Sequence, residues 1–142
     1  DDAESIVEWH SDEQIVRFFL SNTPLTMEKH LAWFENYLND ATRFDFMLTE
    51  KTTGKKVGLV GLQNIKEATA DIGYLIDVAV WGNGFGSEAI RAVSAFAFEN
   101  LTLLQLSAMI HAENTASIKA AKRAGYKLHN LFYSLEKSEN GI

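Results

Sequence analysis

The sequence predicts one domain of the α/β or α+β class, a sandwich in which helices pack on a mixed sheet. The length of 142 residues suits a single domain. Apolar and polar residues alternate over 71–80, as in a half-buried strand, whereas apolar residues recur at helical spacing over 27–38. Segments of the two kinds follow one another along the chain, so strands are predicted to pack against helices.

Composition excludes several classes of protein. Hydrophobic residues make up 46% and charged residues 23%, as in ordinary globular chains. The chain has no cysteine, which excludes disulfide frameworks, zinc-thiolate sites and cysteine nucleophiles. A net charge of −6 argues against a nucleic-acid partner. No apolar run is long enough for a membrane helix and no signal-peptide pattern is present, so we expect no membrane partner and a cytoplasmic location.

Two helices are predicted at the N-terminal end. The first covers residues 3–20 and ends at the turn-forming residues 21–24. Its inward residues are Ile15, Phe18 and Phe19. Thr26 can cap the second helix. The apolar residues of this second helix follow the spacing i, i+4, i+7, i+11 and are Met27, Leu31, Phe34 and Leu38.

Strands and helices then alternate to the C-terminal end. The predicted strands are 44–49, 57–65, 71–80, 103–110 and 126–135. The predicted helices are 87–100 and a short one that begins at Asn114 or Thr115 and ends at Gly125, a typical position for a glycine after a helix.

A glycine-rich loop joins the strand at 71–80 to the helix at 87–100. It consists of Trp81, Gly82, Asn83, Gly84, Phe85 and Gly86. Glycines allow backbone amides to turn toward one point, and a helix N-terminus adds unpaired donors, so the segment is suited to a diphosphate. Gly86-Ser87-Glu88 lacks the lysine of a P-loop, and Ser87 breaks the dinucleotide fingerprint. A plain tight turn remains open as an alternative.

Two motifs after the loop suggest a family. They are Asn114-Thr115-Ala116-Ser117-Ile118 and Arg123-Ala124-Gly125-Tyr126. With the glycine loop at the same relative positions, this part of the chain resembles the GCN5-related N-acetyltransferase (GNAT) family. That family has a Gln/Arg-x-x-Gly-x-Gly/Ala loop for acetyl-CoA and a later Asn-x-x-Ser/Ala-Ile helix. Residues 28–34, 57–62 and 71–74 are similar to the branch that contains ribosomal-protein N-terminal acetyltransferases, and 28–34 also to amino-sugar N-acetyltransferases.

The resemblance implies a fold and a reaction. The fold would be a mixed, mostly antiparallel twisted sheet flanked by helices, which opens between 71–80 and 103–110 to hold acetyl-CoA. The reaction would be direct attack of a primary amine on the acetyl thioester in a ternary complex. The acceptor stays open among a protein N-terminus, an amino sugar, a polyamine and an antibiotic amine.

The same resemblance implies a set of cofactor-binding residues. The pantetheine arm would pair with the strand over Ile76, Val78, Ala79 and Val80, and an amide near Val78 or Ala79 would bind the thioester oxygen. The diphosphate would lie on Trp81, Gly82, Asn83, Gly84, Phe85, Gly86 and Ser87. Asn114 would contact the cofactor.

Four residues are candidates for proton transfer or for stabilising the leaving group. Asp71, His111 and Glu136 are candidate bases, and Ser117 could hydrogen-bond the departing thiolate sulfur. Many relatives place a tyrosine acid at the position that Ala121 takes here, so another group or water must do its work. Trp81 stands where the general pattern has Gln or Arg. No metal site is predicted, since His10 and His30 lack metal-ligand spacing.

Two further hypotheses belong to other classes. One is a non-catalytic acyl-CoA-binding or sensor domain, which the lack of the tyrosine and of one clear base favours. The other is a structural fragment of 1–142 without its first and last strands, which a partner or a swapped protomer would supply, since open sheet edges promote pairing. A homodimer is therefore also open.

Overall fold

Six strands form a single sheet flanked by helices. The computed structural model describes residues 2–16, 25–110, 113–129 and 132–136. The strands are β1 (Phe44–Thr49), β2 (Lys56–Lys66), β3 (Thr69–Ile76), β4 (Gln105–Ala108), β5 (Lys127–His129) and β6 (Phe132–Glu136). The helices are α1 (Ala3–Trp9), α2 (Glu13–Val16), α3 (Met27–Tyr37), α4 (Phe85–Asn100) and α5 (Thr115–Arg123). The strand order is β1-β2-β3-β4-β6-β5.

The sheet is mixed and mostly antiparallel, which confirms the predicted fold class. β1, β2 and β3 form an antiparallel meander, and β4, β6 and β5 pair antiparallel in the other half. The parallel pair is β3 with β4, which α4 connects. A parallel pair needs such a crossover, so α4 covers one face of the sheet.

The two halves of the sheet separate soon after they meet. β3 and β4 pair at Thr69–Gln105, Ala70–Leu106 and Asp71–Ser107. β3 then continues to Ile76 without a β4 partner among the described residues. The two strands therefore open into a wedge, and one edge of β3 from 72 to 76 has backbone groups that β4 does not pair.

The main core lies between the sheet and the helices α4 and α5. Its most buried members are Val60, Leu62, Ile90, Ala97, Leu103, Leu106 and Ala121. A buried polar contact joins α4 to the residue that precedes β5, because the hydroxyls of Ser94 and Tyr126 lie 2.8 Å apart. This pairing satisfies two polar groups that would otherwise destabilise the core.

The prediction of one helix over 3–20 is wrong, since α1 ends at Trp9 and α2 begins at Glu13. Ser11 Oγ donates to the Val7 carbonyl oxygen at 2.9 Å, and the Gln14 amide donates to Asp12 Oδ1 at 2.9 Å. Such side-chain bonds compete with the helical ladder. Ile15 is buried as predicted, whereas Phe18 and Phe19 lie outside the described residues.

Helix α3 has the predicted N-cap, because Thr26 Oγ1 accepts from the Lys29 amide at 3.2 Å. Its apolar stripe does not form core: Met27, Leu31, Phe34 and Leu38 are 38%, 51%, 42% and 67% exposed. The buried residue of this helix is His30. The helix therefore borders a cavity instead of closing the core.

Three predicted strands differ clearly from the observed ones. β3 ends at Ile76, and Val78–Val80 form a 3₁₀ turn, so the prediction of a strand to Val80 is wrong. The Asp77 carboxylate causes the turn by accepting from the Ala79 amide at 3.0 Å. The single strand predicted over 126–135 is instead the antiparallel pair β5 and β6. β4 covers only part of the predicted 103–110.

Candidate active site

A cavity of about 460 Å³ lies beside the glycine loop. We call it the loop cavity. Its wall comprises the end of β3, the start of α4 and the first two turns of α5, with Ile15 from α2. Loop residues in the wall are Val80, Trp81, Gly82, Gly84, Phe85, Gly86 and Ser87. The sequence-predicted diphosphate segment thus borders a real cavity.

The start of α4 has the properties of an anion site. Gly84 is the N-cap residue with φ 79°, and no side chain caps the helix. This left-handed conformation favours glycine. The first amides of the helix lack helical acceptors, and the helix dipole adds partial positive charge there. A phosphate group would satisfy these donors.

Gly86 has a different reason to be glycine. A Cβ atom at this position would lie 3.8 Å from both Ala120 Cβ and Ile76 Cγ1, which are ordinary contacts. Both neighbours line the loop cavity. The fold therefore tolerates an alanine at 86, whereas a larger side chain would compete with a ligand in the cavity.

Trp81 and Asp77 hold the turn that precedes the glycines. The Trp81 indole N–H donates to the Ile76 carbonyl oxygen at 2.8 Å, and the Ala79 amide is bound to Asp77. Trp81 thereby fixes the end of β3, while its side chain stays half exposed beside the cavity. The Ala79 amide already has an acceptor, so Val78–Val80 do not offer the pairing edge that the sequence predicted.

Two cations border the loop cavity on α5. Lys119 and Arg123 line it, are exposed and lie four residues apart, so they share one helix face. The cavity therefore combines backbone donors with positive side chains in a chain whose net charge is −6. This local charge favours a multiply anionic ligand.

A second cavity of about 680 Å³ lies among α1, α3, β1, β2 and β3. We call it the aromatic cavity. Its aromatic residues are His10, His30, Trp33, Phe34, Tyr37, Phe46 and Tyr74. Trp33 stacks on Tyr37 with ring centroids 5.1 Å apart, and on His30 at 5.8 Å. The wall is mostly apolar, with a few placed polar groups, as in small-molecule sites.

An ion pair crosses one wall of the aromatic cavity. Arg43 Nε and Nη2 donate to the two carboxylate oxygens of Asp45 at 3.0 and 3.1 Å. The guanidinium also lies over the Trp33 ring, 5.0 Å from its centroid. Arg43 and Asp45 are therefore held in one geometry and neutralise each other.

His30 is a buried imidazole in this wall, with 4% of the residue exposed. Burial lowers the pKa of His30 from 6.5, and the charge of His10 lowers it further. The ring is therefore neutral at pH 7, and a neutral imidazole can accept a proton.

The two cavities meet at four residues. Tyr74, Leu75, Asn114 and Ser117 line both of them. The Asn114 carboxamide oxygen caps α5 by accepting from the Ser117 amide at 3.2 Å. The Tyr74 hydroxyl donates to the Ser117 carbonyl oxygen at 2.9 Å. The junction lies against the part of β3 that β4 does not pair, so two ligands could touch there.

The predicted catalytic residues have separate positions. Ser117 lies at the junction. Asp71 lines neither cavity, and its carboxylate accepts from the Asn64 amide group at 2.9 Å. His111 lies outside the described residues, and Glu136 belongs to β6, of which only the backbone is described. Of the two candidates whose side chains are described, Ser117 and Asp71, the geometry favours Ser117.

Sequence reasoning missed two polar groups that the fold brings to the cavities. One is His30, the polar residue that α3 buries; its position between Met27 and Leu31, on the apolar side of the helix, was the available signal. The other is Tyr74, which the alternation of β3 placed among apolar residues, so no signal in the sequence indicated a role for its hydroxyl. Ala121, the position of the family's tyrosine, is fully buried in the core and lines neither cavity.

The described residues contain neither a candidate metal cluster nor a membrane-spanning helix. No group of three or more His, Cys, Asp or Glu residues there could hold a metal ion. None of the helices in these parts of the chain is both long and apolar enough to span a bilayer.

Comparison with known proteins identifies the family. A family model described as an acetyltransferase (GNAT) domain matches residues 1–127. The uncharacterized N-acetyltransferase p20 of Bacillus licheniformis is 28% identical over 150 aligned positions, which cover 100% of this chain and 83% of that protein. The chain belongs to the GNAT family and is an N-acetyltransferase.

Solved structures share the fold. A domain from Methanocaldococcus jannaschii has a TM-score of 0.82 at 27% identity, with 95% of this chain and 92% of that one covered. Spermidine N-acetyltransferase from Vibrio cholerae, solved with CoA and spermine, has a TM-score of 0.89 at 14% identity, with 95% and 89% covered. The second likeness is one of fold alone.

Proposed function

We propose that this GNAT family member transfers an acetyl group from acetyl-CoA, its co-substrate, to a primary amine. The observation that carries the proposal is the meeting of two cavities at Tyr74, Leu75, Asn114 and Ser117. The loop cavity suits an anionic cofactor, and the aromatic cavity suits the acceptor. The fold neighbour from Vibrio cholerae was likewise solved with both CoA and an amine.

The cofactor would follow the polar groups of the loop cavity. The amides at the start of α4 would bind the diphosphate, with Lys119 and Arg123 nearby. The pantetheine arm would lie along the free edge of β3, over 73–76. This edge replaces the predicted 76–80, because Val78–Val80 form a turn. The donor to the thioester oxygen would then be the Tyr74 or Ile76 amide, because the amides of the residues between and after them face β2.

The reaction is a direct transfer at the junction. The amine nitrogen attacks the acetyl carbon, the N–C bond forms and the C–S bond breaks, so one proton leaves nitrogen and one is taken up by sulfur. His30 would accept the proton from the amine, because its imidazole is neutral and lies in the aromatic cavity. The hydroxyls of Tyr74 and Ser117 would stabilise and protonate the thiolate.

Calorimetric titration of acetyl-CoA into the purified chain tests the first half of the proposal. We expect saturable binding near one ligand per chain, with no binding of adenosine or NAD. Mass spectrometry of amines incubated with enzyme and acetyl-CoA tests the second half, with an expected gain of one acetyl group. Tight binding without transfer to any amine would support the non-catalytic alternative, and lack of binding by a folded chain would exclude both.

A further inference from the structure

The charges of the aromatic cavity restrict the acceptor beyond a primary amine. Resting on the proposed function, we infer that the substrate is a weakly basic primary amine on an apolar, aromatic-sized body, and that polyamines and other polycations are excluded. The cavity wall, its carboxylates and its imidazole each support one part of this inference.

The wall is suited to an apolar body. Around the polar groups, it is built mainly from aromatic and aliphatic side chains, among them Ile6, Trp33, Phe34, Phe46, Met47 and Leu59. Trp33 is 37% exposed, and its ring stacks with both Tyr37 and His30 and lies under the Arg43 guanidinium. The exposed part of this aromatic cluster can bury the apolar area of an aromatic-sized substrate group.

The carboxylates of this wall are already paired. Among the described lining residues, the acidic ones are Asp2 and Asp45. Lys56 Nζ lies 2.8 Å from Asp2 Oδ1, and Arg43 binds Asp45 through two hydrogen bonds. A polyamine brings several ammonium groups, and a buried ammonium without a carboxylate partner is unfavourable. The acidic residues of α3, Glu28 and Glu35, are exposed and do not line the cavity.

The Arg43–Asp45 pair is built into the fold. A Cβ atom at residue 61 would lie 2.2 Å from Asp45 Oδ1, so Gly61 leaves the space that this carboxylate fills. The Asp45 amide also donates to the Tyr37 hydroxyl at 3.2 Å. Asp45 is therefore fixed toward Arg43, and its carboxylate is not available to pair with an ammonium group of the substrate.

The proton chemistry favours a weakly basic amine. An α-amine with a pKa near ~7.8 is about one-third neutral at pH 7.5, whereas an alkylamine near ~10.4 is neutral in about one molecule per thousand. Burial lowers the pKa of His30 from 6.5. Proton transfer from an alkylammonium to this imidazole is therefore unfavourable by a factor of at least about 10⁴.

Steady-state kinetics with three amines test the inference. The amines are phenylalanine amide, 2-phenylethylamine and spermidine, with acetyl-CoA saturating at pH 7.5. We expect kcat/KM to fall at least 10-fold at each step in that order. Equal or better turnover of spermidine would overturn the inference. So would failure to acetylate phenylalanine amide by a chain that binds acetyl-CoA, whereas loss of acetyl-CoA binding itself would overturn the proposed function.

A charge variant gives an independent test. Arg43→Gln frees the Asp45 carboxylate, so we expect kcat/KM for spermidine to rise at least 10-fold relative to phenylalanine amide. Lys122→Gln removes the same charge from an exposed site outside both cavities and should change neither value. Trp33→Ala should lower kcat/KM for phenylalanine amide and leave the acetyl-CoA Kd unchanged. If folded Arg43→Gln keeps the wild-type preference, the inference is wrong.

Discussion

The Tyr74 hydroxyl donates a hydrogen bond to the Ser117 carbonyl oxygen at 2.9 Å and so ties β3 to the first turn of α5. The two residues are 43 positions apart in the chain and both line the two cavities. Burial raises the pKa of Tyr74 to about 12, so the hydroxyl keeps its proton at neutral pH. The family's usual tyrosine position is Ala121 in this chain, and Ala121 is buried in the core away from both cavities. We therefore expect Tyr74 to protonate the leaving thiolate in its place.

Tyr74→Phe should lower kcat about 10- to 100-fold, since general acid catalysis contributes about 10²–10⁴ and water replaces part of it. The Kd for acetyl-CoA should change less than threefold, because the hydroxyl does not bind the diphosphate. Thermal unfolding should report a loss of about 1 kcal/mol from the absent hydrogen bond. Stopped-flow detection of free thiol would measure kcat.

Tyr126→Phe is the matched control for that substitution. Its hydroxyl is also buried and hydrogen-bonded, to Ser94, but it lines neither cavity. We expect a stability loss of about 1–3 kcal/mol, because Ser94 is left without its partner, and an unchanged kcat. Similar kcat losses in the two variants would mean that both hydroxyls only stabilise the fold, and that Tyr74 is not the acid.

His30→Gln should lower kcat/KM more at pH 7 than at pH 9. At the lower pH most amine is protonated and a base is needed, whereas at the higher pH more of the amine is already neutral. Rates at five pH values between 6 and 9.5 would show the difference, with Lys122→Gln, an exposed site outside both cavities, as the control. If kcat/KM falls by the same factor at every pH, His30 stabilises the fold and does not act as the base.

The same residue makes stability depend on pH. The pKa of His30 is lowered from 6.5 in the folded chain, so below pH 6.5 the unfolded chain binds the proton first. The unfolding free energy should therefore decrease as pH falls from 7 toward 5, and the His30→Gln variant should show a shallower decrease. Denaturant titrations of both proteins at pH 5, 6 and 7 would measure the two slopes.

Two substitutions at Gly86 should separate ligand binding from folding. The methyl of Gly86→Ala makes ordinary contacts with Ala120 and Ile76 and favours the helix by up to about 1 kcal/mol, so thermal stability should be unchanged or higher. Since the family loop has Gly or Ala at this position, the alanine variant should bind acetyl-CoA about as well as the wild type. Gly86→Leu places a larger side chain beside the loop cavity, so its Kd for acetyl-CoA should rise at least 10-fold. Ala92→Ser, on the exposed face of the same helix, should alter neither property. Unimpaired binding by a folded leucine variant would contradict the placement of the diphosphate at this loop.

Neutralising Lys119 and Arg123 together should weaken acetyl-CoA binding about 10-fold at low ionic strength. The difference from wild type should shrink near 0.5 M salt, because screening reduces exposed charge interactions. Lys122→Gln, which removes an exposed charge outside the cavity, gives the baseline. If acetyl-CoA binding is still weakened at high salt, the substitutions have disturbed the structure of α5, and the loss of charge is not the cause.

Local signals in the sequence predicted the elements that frame the loop cavity. The Thr26 and Asn114 caps and the glycine turn before α4 depend on neighbouring residues only, and the structure confirms each of them. Gly125 follows α5 with φ 95°, as expected of a glycine after a helix. Such features can be found without knowledge of the tertiary fold.

Features that depend on distant contacts were not predictable. The apolar alternation continues past Ile76 to Val80, yet the Asp77 carboxylate turns the chain after β3. The burial of His30 depends on how α1 and the sheet meet α3. Asp71 was a candidate base, but its hydrogen bond to Asn64 and its absence from the lining of both cavities could only be seen in three dimensions.

If the cofactor binds at the edge of β3 as proposed, the short pairing between β3 and β4 links the stability of the enzyme to the supply of its co-substrate. Three residue pairs join these strands. The remaining edge of β3 would form its hydrogen bonds with the pantetheine arm. A ligand that binds only the folded chain adds about 2.7 kcal/mol of stability at one hundred times its Kd. The Tyr74 and Ile76 amides, which alternate with the amides bonded to β2, should then exchange hydrogen more slowly in the complex. A cell short of acetyl-CoA would thus hold this protein in its less stable form, open to proteolysis.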